Sequence, residues 1–191
     1  MKLHCMGRFS GDPTSLPHGE HKPGAVPFKE AQDPKKLALL ANGVALVLMI
    51  LLLTAAFLRG GAYSSVWHLA GGWLLSMAIL LPHELLHAVC FKKDVYLYTY
   101  RQQGMLFVVG PEDMSRGRFV FMSLLPNLVF GLVPYLVGMV FPQWYFLLIW
   151  GALALGMGAG DYYNVFNALT QMPRGARTYL YQFNSWWYMP Q

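Results

Sequence analysis

Residues 79–91 read Ile-Leu-Leu-Pro-His-Glu-Leu-Leu-His-Ala-Val-Cys-Phe. They close a mainly apolar run, residues 66–91, long enough to cross the ~30 Å hydrocarbon core of a bilayer as a helix. On a helix, positions i and i+4 lie one above the other, so His83 and His87 can share one metal ion. Glu84 is the next residue round, placed to take a proton from water. The same string in a soluble protein marks an ordinary zinc hydrolase. In a membrane span it marks hydrolysis below the lipid surface.

Composition agrees with a membrane setting. The chain has 191 residues, 55% hydrophobic, 15% aromatic and only 12% charged, whereas soluble domains carry about a quarter charged residues. Cys5 and Cys90 are far apart, which excludes a disulfide framework and a CxxC metal pair. The net charge of +5 reports membrane topology in such a chain, and nucleic acid is not an expected partner. The first 34 residues are polar and rich in Pro, Gly and His. This is no secretory signal, so the first apolar run is expected to stay as an uncleaved anchor.

The resulting expectation is an all-α integral membrane protein with four transmembrane helices, at about residues 37–58, 66–91, 119–141 and 144–172, and one small cytosolic β-hairpin. Residues 1–36 are expected to be a disordered cytosolic tail with a short amphipathic piece near 26–37. Its His4, Cys5, His18 and His21 have no spacing that fits a metal site. Residues 173–191 are expected to be an aromatic interfacial tail, with Trp186, Trp187 and Tyr188 suited to the lipid–water boundary. Six Lys/Arg precede the first span, five lie between the second and third, and two follow the fourth. Only Arg59 falls on the other side, so 13 of 14 place both termini in the cytosol. Between the second and third spans, residues 95–109 alternate as a β-hairpin around Arg101-Gln-Gln-Gly. That hairpin is either a flap on the membrane surface or an edge that pairs with an extended substrate.

Seven of the nine acidic residues lie in the tail or the cytosolic loop. Glu84 and Asp161 are the exceptions, and a carboxylate at bilayer depth costs about 2.5–3.5 kcal/mol. His83 lies 17 residues into the second expected span and Asp161 lies 17 into the fourth. The two spans run in the same direction, so these residues come level. His83, His87 and Asp161 would then supply three ligands to one zinc ion and leave the fourth tetrahedral position open, as catalytic sites do. Glu84 is the general base. Simpler readings stand beside this one: hydrogen-bonded histidines that hold helices together, and an Asp161 that caps a helix after Gly156-x-Gly158-x-Gly160 or pairs with a lysine. Pro82 is expected to kink the helix, which either admits water or serves packing alone. Asn127 could bind an oxyanion or the substrate strand, and Asn164 could orient Asp161. Each could equally be an ordinary interhelical hydrogen bond. His68 is too far up the helix, by about 20 Å, to reach the same metal.

Four stretches together, Pro82-His-Glu-Leu-Leu-His-Ala, Met114-Ser-Arg-x-x-Phe119, Ser123-Leu-Leu-Pro-Asn127 and Gly160-Asp-x-x-Asn164, resemble the "putative zincin peptidase" family of small bacterial membrane proteins. That family is grouped with site-2 protease-like intramembrane metalloproteases, and the resemblance covers about residues 66–172. It implies that His83, His87 and Asp161 bind zinc and that Glu84 is the catalytic base. The chain departs from site-2 proteases proper in having Gly160-Asp161-Tyr162 in place of Leu-Asp-Gly and in having no room for a PDZ domain. The expected function is zinc-dependent endoproteolysis of membrane-bound protein substrates near the cytosolic face of the bacterial cytoplasmic membrane. A non-catalytic zinc-binding scaffold or pseudoprotease is the alternative, followed by a metal-ion transporter.

Overall fold

The computed structural model describes residues 1–29, 34–102, 104–181 and 184–190. By internal contacts it separates into two units. One comprises Met1–Glu30, Glu84–Ser123 and Asn164–Gln191; the other comprises Ala31–His83 and Leu124–Tyr163. In chain order the helices are α1 (Pro34–Gly60), α2 (Val66–Ala78), α3 (Leu80–Val89), α4 (Arg116–Pro126), α5 (Val133–Val140), α6 (Tyr145–Met157) and α7 (Ala159–Gln171). A π-helical stretch, Asn127–Leu132, joins α4 to α5. The strands are β1 (Leu3–Arg8), β2 (Val26–Pro27), β3 (Val95–Tyr100), β4 (Met105–Val109), β5 (Met114–Ser115), β6 (Arg177–Tyr181) and β7 (Asn184–Tyr188).

The second unit is helical, and α6 is its centre. This helix packs against α1, α2, α5 and the π-helical stretch. Its Leu148, Ile149 and Ala152 form one buried cluster with Ala56, Tyr135 and Tyr145. Close approach depends on Gly151, where a Cβ would come within 2.6 Å of the Tyr135 backbone nitrogen. The Tyr135 hydroxyl crosses the bundle and donates to the Leu52 carbonyl at 2.9 Å, which satisfies a buried polar group in an apolar setting. Outward, α1 presents Leu39, Leu46, Val47, Ile50, Leu51 and Leu58 as exposed side chains. An apolar surface of that extent needs a non-aqueous neighbour.

The first unit carries two sheets. The three-stranded sheet has the order β1-β3-β4: β1 is parallel to β3 in the register Leu3↔Val95 to Arg8↔Thr99, and β3 is antiparallel to β4. Phe9, just after β1, is buried and meets Tyr98, Tyr100 and Phe107 edge-on, with ring centroids 6.0, 5.3 and 5.5 Å away. The four-stranded sheet has the order β2-β7-β6-β5.

Three expectations need correction. The fold is not all-α. The expected hairpin is present as β3–β4, but it is one part of seven strands in two sheets among the described residues. Residues expected to form a disordered tail contribute β1 and β2, and the aromatic C-terminal run forms the β6–β7 hairpin. The amphipathic piece expected near 26–37 falls partly on residues 30–33, outside the described ones. Nor are there four spans. Among the described residues two helices are long and apolar enough to cross a membrane, Leu39–Tyr63 and Arg116–Val140, and the bent pair α2–α3 makes up to three. These helices are consistent with membrane association. The expected fourth span breaks at Gly158 into α6 and α7, each of 13 residues. At 1.5 Å per residue each reaches only ~20 Å, and α7 carries Asp161, Asn164, Asn167, Thr170 and Gln171, too polar a set to extend an apolar span.

Candidate functional site

The bend between α2 and α3 measures 41°, and Pro82 accounts for it. A proline ring collides with the carbonyl four residues earlier, which here is Ala78, where α2 ends. After the bend, Pro82 sits in the first turn of α3, where its missing N–H costs little. His83, Glu84 and His87 follow on this helix. Their ligand-capable atoms lie within 4.8 Å of one another, a group able to hold a metal ion.

Asp161 occupies the first turn of α7, where the helix N-terminus favours a carboxylate. In the helical unit its Oδ2 stands 3.2 Å from His83 Nε2, with both side chains largely shielded. Two ligands of a tetrahedral zinc, each bound at ~2.0–2.1 Å, lie about 3.3 Å apart. The contact is a hydrogen bond in this structure, and the same spacing would also suit two neighbouring ligands of one zinc ion. The donor set, imidazole nitrogens with a carboxylate oxygen, suits the same metal.

Both groups are held by further polar contacts. The Asn127 amide donates to Asp161 Oδ2 at 2.7 Å, from a side chain only 3% exposed. Asn127 is the first residue of the π-helical stretch, directly after Pro126, and such stretches recur at functional sites. The Tyr162 hydroxyl lies 3.4 Å from Asn127 Oδ1 and donates to the Leu155 carbonyl at 2.9 Å. Space for this arrangement comes from Gly158, where a Cβ would sit 1.7 Å from Asn127 Oδ1. In the first unit, His87 Nδ1 lies 2.9 Å from the Met122 carbonyl oxygen. A carbonyl only accepts, so Nδ1 carries the hydrogen and Nε2 of the neutral ring keeps its lone pair for a metal.

The structure thus brings His83 and Asp161 together and places His83, Glu84 and His87 on one helix. Asn127 reaches the Asp161 carboxylate directly. Asn164 lies on the wall of a cavity of about 160 Å³ in the first unit, with Glu112, Phe119, Met122 and Thr178. Tyr162 and the Met122 carbonyl were not singled out from sequence. A tyrosine directly after an acidic residue in an apolar run is an available signal, but a backbone carbonyl leaves none.

Residues 75–177, more than half of the chain, match the model of a family described as "Putative zincin peptidase". The matched stretch contains the HELLH run, Asn127 and Asp161. No curated protein and no solved structure matches the chain.

Proposed function

The chain belongs to that zincin peptidase family, and on this premise we propose that it is a zinc-dependent endopeptidase of the site-2 protease kind, hydrolysing membrane-bound protein substrates near the cytosolic face. The observation that carries the proposal is the 3.2 Å approach of His83 Nε2 to Asp161 Oδ2, 78 residues apart in sequence and at the separation expected of two ligands on one zinc. In this reading His83, His87 and Asp161 hold the ion. A bound zinc ion there supplies Lewis-acid polarisation and makes water acidic enough to ionise near neutral pH.

The chain's own residues do the rest. Glu84 takes the proton of the attacking water and passes it to the leaving amine nitrogen as the peptide C–N bond breaks. Asn127 keeps the Asp161 carboxylate turned toward His83, and the Met122 carbonyl keeps His87 in its ligating tautomer. A helical substrate has to unwind locally, because its peptide carbonyls are otherwise engaged in intrahelical bonds. Six Lys/Arg lie before or at the start of α1 and only Arg59 at its far end, a distribution that supports a cytosolic N-terminus and a position in the bacterial cytoplasmic membrane.

A second reading has its own support. Glu84 belongs to the same 4.8 Å group as the two histidines, so it could serve as a fourth protein ligand and close the site, as in structural zinc centres. Glu84→Gln separates the two. A catalytic base predicts peptide cleavage lowered by about 10²-fold or more, with zinc still bound at one equivalent. A fourth ligand predicts weakened zinc binding and no proteolysis in the unsubstituted protein.

A further inference from the structure

A cavity of about 340 Å³ opens at the start of α4, lined by Ser115, Arg116, Gly117, Arg174, Arg177 and Pro190 among others. Among the described residues its lining includes three arginines and no carboxylate, an unusual concentration in a chain that is only 12% charged. All of these residues belong to the first unit. Arg177 is partly committed: its Nε donates to Asp113 Oδ2 at 2.5 Å and one Nη to the Asp113 carbonyl at 2.9 Å. Arg116 spends one Nη on the Met172 carbonyl at 2.8 Å, which fixes the guanidinium and leaves most of its five donors for other partners. With Asp113 set against Arg177, the charges of Arg116 and Arg174 remain as a surplus of two among the described lining residues.

Gly117 shapes the opening. A Cβ at this position would meet nothing within 4 Å, so the absent side chain leaves open space beside the arginines. Position in the fold indicates what could fill it. Arg116 begins the 25-residue helix Arg116–Val140, apolar enough to cross a membrane, and Phe121 is already exposed five residues later. Where that helix enters a bilayer, its first turn lies at the level of the lipid phosphates.

We propose that the Arg116–Arg174–Arg177 cavity binds the phosphodiester of an anionic phospholipid. Guanidinium groups match phosphate oxygens in geometry and keep their charge at any working pH. The site rests on the membrane placement of α4 and not on the peptidase chemistry, so Glu84→Gln should leave it unchanged.

The test uses the full chain purified in a neutral detergent. Lipid retention is measured by native mass spectrometry and thermal melting with phosphatidylglycerol, phosphatidylcholine or inorganic phosphate. Phosphatidylglycerol is expected to bind about tenfold or more tightly than phosphatidylcholine, with Arg174→Gln removing about tenfold of that affinity. Gly117→Leu, which fills the opening while favouring the helix, is expected to lose retention with no loss of folding. Equal binding of the two lipids, or full phosphatidylglycerol retention in both variants, would overturn the proposal. Arg174-dependent stabilisation by inorganic phosphate that matches the effect of phosphatidylglycerol would make the ligand a soluble phosphate and overturn the lipid assignment.

Discussion

At the scale of single residues, the proposed centre depends on side chains that would never need to touch the metal. Gly158 is the most exposed to test, because a Cβ there would sit 1.7 Å from Asn127 Oδ1 and Asn127 would have to release Asp161. Gly158→Ala is expected to weaken zinc affinity about 10-fold, within the range for partners that orient a ligand. Asn127→Ala is expected to match it, and the double variant to lose no more than either alone, since both act through one bond. Chelator competition measures this. Full additivity of the two losses would remove Asn127 from its positioning role. His83, Glu84 and His87 were legible in the sequence because their relation is local, one helical turn. Asp161 was singled out as a carboxylate in a fourth span, level with His83; the structure has no such span among the described residues and places Asp161 in the first turn of the polar helix α7. Its bond to Asn127 was not legible, because 34 residues separate the two and a π-helical stretch aims the amide.

At the scale of elements, the β-structure explains most of the difference between expectation and fold. Strand β1 reads Leu-His-Cys-Met-Gly-Arg, with no clean alternation and an irregular register between Cys5 and Gly7. Its partner β3 lies more than 90 residues later, so nothing local announces the pairing. Phe9 tests this packing. At 4% exposure, Phe9→Ala is expected to cost about 3 kcal/mol by the measure of buried aromatic truncations, read as a lowered unfolding midpoint. A disordered N-terminal segment would show no change. In the other sheet, Asp113 accepts from Arg177 and from the Tyr188 hydroxyl, both at 2.5 Å. Burial acts to raise this carboxyl, but those two donors together outweigh it and hold it below the usual carboxylate range. A folded pKa below the unfolded one stabilises above the unfolded value of about 3.9, and that stability is lost as pH falls through the folded value. The melting temperature of wild type minus that of Asp113→Asn is therefore expected to be positive and level from pH 7 to about 5, and to shrink below about 4. A difference independent of pH would deny the pair its electrostatic share.

At the scale of the whole molecule, apolar length predicted more membrane crossings than the described helices supply. The run over residues 144–172 counts as a span by hydropathy. The chain instead breaks it at Gly158 and turns the second half into a polar helix that begins by presenting Asp161. Of the glycines that read as a packing device, Gly158 also makes room for the Asn127 side chain that holds Asp161. Composition indicated apolar helices consistent with membrane association, and a local motif indicated a group able to hold a metal; the contacts of Asp161 with His83 and Asn127 required the fold. The most direct test of the account is the zinc affinity of the purified full chain with either Glu84→Gln or Asp161→Ala. The account predicts that Glu84→Gln retains one zinc at close to wild-type affinity, while Asp161→Ala loses at least about tenfold. The reverse pattern, with Asp161→Ala at full affinity and Glu84→Gln depleted, would contradict it.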